Sequence, residues 1–318
     1  MSVIQDQYGR AFRTLRLSLL NHCNLGCVYC VSGDNEVKAA NATHSAHSVS
    51  SLLDIIRRLH GLLDLSAIRL TGGEPLLYHD LTGLISGIRG MGISSIKLTT
   101  NGFLLERLAV PMKEAGMGSI NVSLDAVGED IFYQMSRRNG VDRVIRGIDK
   151  ALAAGLEVKI NSVIMKGIND SQILPLLEFA FSRQCRIRLL EVMAMGHLHD
   201  QAERYLFPQK EMLAVIAGRY AFQELGRAGS ATASYWRTDE GHQFGIIANE
   251  TAPFCSDCDR LRLDSSGHIY GCLSSNHPIL LDQSEDEKIW TRKLGQALLQ
   301  KQALRFTGSD LSMLHIGG

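Results

Sequence analysis

Cys23, Cys27 and Cys30 stand as C-x3-C-x2-C within Asn21–Cys30, which reads N-H-C-N-L-G-C-V-Y-C. Three thiolates in one tight loop can hold a metal. They leave a four-iron cluster one ligand short, because such clusters normally take a cysteine on each iron. The uncovered iron is then open to a small molecule. A zinc site is the plain alternative, but it wants four ligands and is normally closed. No fourth cysteine lies nearby, and His22 adjoins Cys23, so the two reach one ion only awkwardly.

A second group, Cys255, Cys258 and Cys272, reads C-x2-C-x13-C. Asp264-Ser265-Ser266-Gly267 has type I turn composition between two alternating runs. A hairpin folded about Ser265–Ser266 sets Cys258 opposite position 273 and so returns Cys272 to the pair. Three thiols converge again, and a zinc knuckle is again the alternative; His268 near the turn and His277 beyond Cys272 offer no obvious fourth ligand. Arg260 and Arg262 are two apart on a strand and share a face. Guanidinium pairs suit bidentate phosphate binding, where the bland alternative is a solvated strand face. The remaining cysteine, Cys185, reads as a buried structural thiol.

The elements that must position these groups alternate. β-rich runs cover Leu15–Leu20, Ala67–Thr71, Ser95–Thr99, Ser119–Leu124, Val158–Ile164 and Arg186–Val192. Helical runs lie between them: Leu52 to Leu63 with Ser48 or Ser50 as N-cap, Leu81–Arg89, Leu104–Ala115, Val141–Ala154 and Ser171–Ser182. Such alternation predicts parallel strands joined by right-handed crossovers. Six units predict an α/β fold, an open or partial (β/α)6 TIM-like barrel, whose working face is the C-terminal end of the strands. Polar residues gather at those ends: the first cysteine loop, Thr71-Gly72-Gly73-Glu74-Pro75, Thr99-Thr100-Asn101-Gly102, Ser123-Leu124-Asp125 and Arg188 to Met193. Each alone is ordinary turn chemistry; repeated at one face, they predict a common pocket. Beyond residue 195 the pattern changes to a loop over 195–207, a helix over Gln209–Leu225, short strands within Ser234–Ile247 and a helix over Glu287–Leu304. Residues 1–195 thus read as the barrel, and 196–318 as a C-terminal extension packed on it.

Composition narrows the classes. The 318 residues are 45% hydrophobic and carry zero formal net charge, so no global field recruits nucleic acid or membrane. Any anion site must be local. The N-terminal stretch lacks the apolar segment of a secretory signal, and no run approaches the length of a membrane span. A reducing cytoplasm is the default, where close-spaced cysteines are more often metal ligands than disulfides.

On these motifs the chain resembles the radical S-adenosylmethionine (SAM) enzymes, and more narrowly the GTP 3′,8-cyclase family of molybdenum cofactor biosynthesis. C-N-L-G-C-V-Y-C and G-G-E-P carry the first resemblance. The narrower one rests on the second cysteine block with R-x-R inside it, on T-L-R-L-S, I-R-L-T-G-G-E-P-L, L-T-T-N-G, I-N-V-S-L-D-A, V-K-I-N, M-K-G-I-N-D, R-L-L-E-V-M and Q-F-G-I-I, and on a terminal Gly-Gly. The resemblance implies a radical SAM lyase with two 4Fe–4S clusters. Cys23, Cys27 and Cys30 would hold the SAM cluster, and Cys255, Cys258 and Cys272 an auxiliary cluster in the C-terminal extension. Tyr29, Gly73, Ser123 and Met193 would line the SAM site. Arg16, Arg69, Thr99, Lys159, Arg188, Arg260 and Arg262 would contact GTP, with Arg260 and Arg262 counted among the catalytic residues. The reaction would remove hydrogen from ribose C3′ and join that carbon to guanine C8, giving 3′,8-cyclo-7,8-dihydro-GTP. The Gly317-Gly318 tail would reach into the site. A reductant, the next enzyme of the pathway (cyclic pyranopterin monophosphate synthase) and a homodimer are the implied partners. Asn21-His22, Val31-Ser32 and Ala67 depart from the family pattern of Asp-Arg, Met-Pro and Lys. They leave room for a radical SAM enzyme with an auxiliary cluster acting on another nucleotide or a peptide. A non-catalytic metal-binding module is the third reading.

Overall fold

The computed structural model describes residues 4–33 and 47–317. Strands β1 (Thr14–Ser18), β2 (Ala67–Thr71), β3 (Ser95–Thr100), β4 (Ser119–Ser123), β5 (Glu157–Ile164) and β6 (Arg186–Glu191) carry the six β-rich runs and lie parallel in sequence order. Between them run α1 (Val49–Leu63), α2 (Leu81–Gly90), α3 (Leu105–Glu114), α4 (Glu129–Ser136), α5 (Val141–Ala153) and α6 (Ile173–Ser182). In α1, Leu52, Ile55, Ile56, Leu59 and Leu63 recur on one face and are buried. Its start is capped by Ser48, whose hydroxyl accepts the Ser51 N–H at 3.2 Å. The alternation of each strand sends Leu15, Leu17, Ile68, Leu70, Ile96, Leu98, Ile120 and Val122 into the core that the helices cover.

After β6 come α7 (Ala202–Tyr205), α8 (Gln209–Ala217), β7 (Phe222–Gly226), β8 (Ser234–Thr238), β9 (Gln243–Ile247), β10 (Arg260–Leu263), β11 (His268–Tyr270), β12 (Ile279–Leu280), α9 (Glu287–Leu299) and α10 (Met313–Ile316). The sheet runs β12-β11-β10-β1-β2-β3-β4-β5-β6-β9-β8-β7. β10 lies parallel to β1 and β9 parallel to β6, and an antiparallel pair closes each margin. The C-terminal segment is therefore built into the sheet at both edges, not laid over it as the sequence suggested. An open arc of six strands has two bare edges of unpaired backbone groups, and β9 and β10 satisfy them.

Three local readings need correction. The helix expected over Gln209–Leu225 ends at Ala217, and Phe222–Gly226 forms β7 instead. That strand is a sheet margin with Gln223, Glu224 and Leu225 all exposed, so it lacks the alternating burial that marks a strand in sequence. Helix α9 stops at Leu299, short of Leu304. The β10–β11 hairpin is shifted by one residue: Arg262 pairs with Tyr270 and Leu263 with Ile269. Gly267, at φ +85°, adds a left-handed residue after the turn, which makes the loop three residues long.

Candidate active site

The first cysteine loop leaves β1 at the C-terminal rim and is held by backbone bonds. Gly26 N–H donates to Ser136 O at 3.0 Å and Val28 N–H to Met135 O at 2.9 Å, which pins the loop to the end of α4. The G-G-E-P loop after β2 lies against it: Gly73 N–H reaches Leu20 O at 2.7 Å and Glu74 N–H reaches His22 O at 2.9 Å. This contact dictates the glycine. A Cβ on Gly73 would sit 1.9 Å from the His22 carbonyl oxygen. Gly73 thus allows close approach of the cysteine loop itself.

Glu74 is buried and ties three loops together. Its carboxyl accepts from Leu76 N–H at 2.9 Å, the Thr100 hydroxyl at 2.6 Å and Asn101 N–H at 2.7 Å, and burial pushes its pKa up to about 7. Asn101 Nδ2 in turn donates to Asn24 Oδ1 at 2.8 Å and to Cys23 Sγ at 3.5 Å. Across the loop, Tyr29 Oη donates to Asp125 Oδ2 at 2.9 Å, and burial raises Asp125 to about 6. Cys27, Cys30, Tyr29, Gly73, Ser123 and Met193 line one cavity of about 200 Å³. Cys23 does not line it and packs, with Cys30, against Val31 and Leu314. Burial pushes the Cys23 thiol up to about 12 and Cys27 well above its ordinary value, so a metal must displace these protons on binding.

A second cavity, of about 170 Å³, opens inside the barrel and is lined by Cys255, Cys258 and Cys272 together with Arg16, Arg69, Thr99, Arg188, Arg260 and Arg262. Parallel register explains the cations. Arg262 on β10 pairs with Arg16 on β1, and Arg16 with Arg69 on β2, so three guanidinium groups stand in one row. Like charges directly opposite one another destabilise a sheet. Burial and the charges of Arg262, Arg69 and Arg260 hold the Arg16 pKa well below its usual value. Arg188 is 8% exposed, yet among the described residues its Nε and Nη2 have no hydrogen-bond partner; neither has Arg16 Nε. Buried donors without acceptors in a row of repelling cations call for an anion. Lys159 stands apart from this row: it does not line the cavity, and its Nζ pairs with Glu157 Oε1 at 3.0 Å.

The two cavities share Thr99, Asn161, Leu190, Met193 and Met313, so they adjoin, one beside the first cysteine loop and the other beside the hairpin cysteines. Among the described residues, no three His, Cys, Asp or Glu side chains are grouped to hold a single metal ion. Two sets of three cysteines, each opening on a cavity, suit a larger cluster with one open position better than a closed zinc site. Cys185 lines neither cavity and is buried.

Several lining residues were not singled out from sequence. Asn121, Lys301 and Phe306 border the second cavity, and Met313 and Leu314 reach the first from α10. Of these only Asn121, two residues from the end of β4, carried a local signal. The tail is held where the Arg row ends: Arg262 Nη1 donates to Gly317 O, and Ser18 Oγ to His315 O at 3.2 Å. Gly318 lies outside the described residues, as do residues 34–46. The departures at the first loop are integrated: His22 O accepts from Glu74, Val31 packs on Leu314, and Arg137 donates to Val31 O at 3.0 Å.

Residues 17–180 match the model of the radical SAM superfamily, and residues 185–307 match that of molybdenum cofactor synthesis C. The chain is 36% identical to a GTP 3′,8-cyclase of Staphylococcus carnosus over 280 residues, which covers 86% of this chain and 82% of the relative. It is 34% identical to a GTP 3′,8-cyclase of a Synechocystis species over 316 residues, covering 98% and 94%. Among solved structures, Streptococcus suis SuiB bound to S-adenosylmethionine superposes with a TM-score of 0.65 at 14% identity, covering 91% of this chain and 68% of that one. That likeness shows the fold alone, an α/β sheet of the radical SAM type.

Proposed function

Because the chain belongs to the GTP 3′,8-cyclase family of the radical SAM superfamily, we propose that it joins ribose C3′ of GTP to guanine C8. The observation that carries this is the row Arg262–Arg16–Arg69 with Arg188, whose Nε and Nη2 lack acceptors among the described residues, facing a cavity that also holds three cysteines. A triphosphate satisfies those donors, and in a neutral protein it needs such a local cluster.

The two cysteine sets fit a 4Fe–4S cluster each. Cys23, Cys27 and Cys30 would hold the first, which would supply the electron for reductive cleavage of SAM and so the means of removing a hydrogen from the ribose. The protein's own part is aim and exclusion of water. Tyr29, Gly73, Ser123 and Met193 border the space for SAM, and Arg16, Arg69, Thr99, Arg188, Arg260 and Arg262 border the space for GTP. Thr99 and Met193 touch both spaces, so a reacting pair meets there without crossing solvent. The guanine end of the nucleotide would lie toward Cys255, Cys258 and Cys272, with the phosphates along the guanidinium row. Lys159 belongs to the contact set only if it releases Glu157.

An external one-electron reductant, hand-over of the product to cyclic pyranopterin monophosphate synthase, a homodimer and a cytoplasmic location complete the reading. Among the described residues no helix is long and apolar enough to cross a membrane. The test is anaerobic reconstitution followed by incubation with SAM, dithionite and GTP. The expected products are 5′-deoxyadenosine and a cyclised purine nucleotide with the mass of GTP. SAM cleavage that ignores GTP and gives no nucleotide product would instead favour a peptide or another nucleotide as substrate.

A further inference from the structure

The hairpin cysteines are held by the segment around Arg10 and by the residues that end α9. Arg10 Nη1 donates to Cys255 O at 2.6 Å. Gln300, at the end of α9, accepts from Gly271 N–H at 3.2 Å, beside Cys272. The third contact is of a different kind, because it reaches a sulfur. Lys301 Nζ lies 3.5 Å from Cys258 Sγ, and Arg260 Nε lies 3.4 Å from the same atom. Lys301 is 6% exposed. It is fixed by donation to the Arg260 carbonyl and by stacking 4.7 Å over the Phe12 ring. Cys23 of the first triplet receives, by contrast, the neutral donors Leu25 N–H and Asn101 Nδ2.

We propose that Lys301 is a positioning residue for the auxiliary cluster: its buried ammonium fixes the Cys258 thiolate and raises that cluster's reduction potential. This rests on the reading of Cys255, Cys258 and Cys272 as cluster ligands. A reduced cluster carries one more negative charge than an oxidised one. Cationic hydrogen-bond donors at its sulfurs therefore favour reduction, and burial leaves that charge little screened. Burying an ammonium is costly without such a partner, and Lys301 meets here one carbonyl, one ring and one sulfur.

The experiment is an EPR-monitored redox titration of the anaerobically reconstituted full chain and its Lys301→Met and Lys301→Arg variants. In the Met variant the reduction equilibrium of the auxiliary cluster should fall about tenfold, or about 59 mV for one electron. The SAM cluster should not move, and the Arg variant should recover most of the shift. An unmoved auxiliary midpoint in a fully loaded Met variant overturns the proposal. A second measurement needs no substitution: with lysine labelled by nitrogen-15 at Nζ, pulsed EPR of the reduced auxiliary cluster should detect a coupled nitrogen. No coupling overturns the proposal even where the Met variant fails to fold. A chain that takes up only about four irons overturns the underlying ligand assignment too, and iron analysis tells that failure from the other.

Discussion

Arg188 and Lys159 show how differently two cations at neighbouring strands are disposed. They lie on adjacent strands and both reach toward the barrel interior, but Lys159 has an ion-pair partner and Arg188 keeps two donors unsatisfied. A charged hydrogen bond to phosphate contributes about 1.5–3 kcal/mol. Arg188→Met is therefore expected to weaken GTP binding by about ten- to a hundredfold, measured by anaerobic equilibrium dialysis, with both clusters still loaded. Lys159→Met should change the same affinity by less than about threefold, since the lysine is paired with Glu157 and does not line the cavity. A large loss from Lys159→Met would mean that the lysine leaves Glu157 when nucleotide arrives. The cysteines were legible from spacing alone, and the Arg260–Arg262 pair from strand alternation. Lys301 was not: its neighbours in sequence give no pattern, and its importance comes from where the end of α9 docks.

At the scale of elements, the contact between the cysteine loop and the G-G-E-P loop is the tightest constraint in the site. Gly73→Ala would drive a methyl group into the His22 carbonyl, and backbone on both sides leaves nothing flexible to yield. The expected outcome is loss of the SAM cluster alone, so that iron falls from about eight to about four per chain, while the hairpin's EPR signal persists. A variant with full iron content would show that the two loops separate more readily than their hydrogen bonds indicate. Periodicity located the six barrel strands closely; Ala67–Thr71 matches residue for residue. It missed α4, an eight-residue helix with no side-chain cap, and it ran α8 into β7. The hairpin register slipped by one because a left-handed glycine leaves little mark in an alternation pattern, although Gly267 stood in plain sight at the turn.

For the whole molecule, the sheet rather than the chain order defines the unit. β9 and β10 close the edges of β6 and β1, and Arg262 on β10 completes the cation row begun by Arg16 and Arg69. Residues 1–195 expressed alone would expose both edges and lose Arg262 from the guanidinium row. That fragment is expected to aggregate, whereas the full chain stays monodisperse by size-exclusion chromatography; a soluble, folded fragment would show that the barrel stands without its C-terminal strands. This interleaving was not legible in the sequence, because local patterns reveal faces and not partners distant along the chain. Glu191 reinforces it, accepting from Gln209, Glu250 and Thr251 backbone N–H groups and so fastening the end of β6 to the C-terminal segment. Two adjoining cavities, one beside the first cysteine loop and one beside the hairpin cysteines, are the product of that assembly. Its most direct test uses GTP deuterated at C3′, incubated anaerobically with the reconstituted chain, SAM and reductant. Deuterium is expected in the 5′-deoxyadenosine, together with a cyclised nucleotide; 5′-deoxyadenosine free of deuterium, formed at the same rate without GTP, would contradict the assignment.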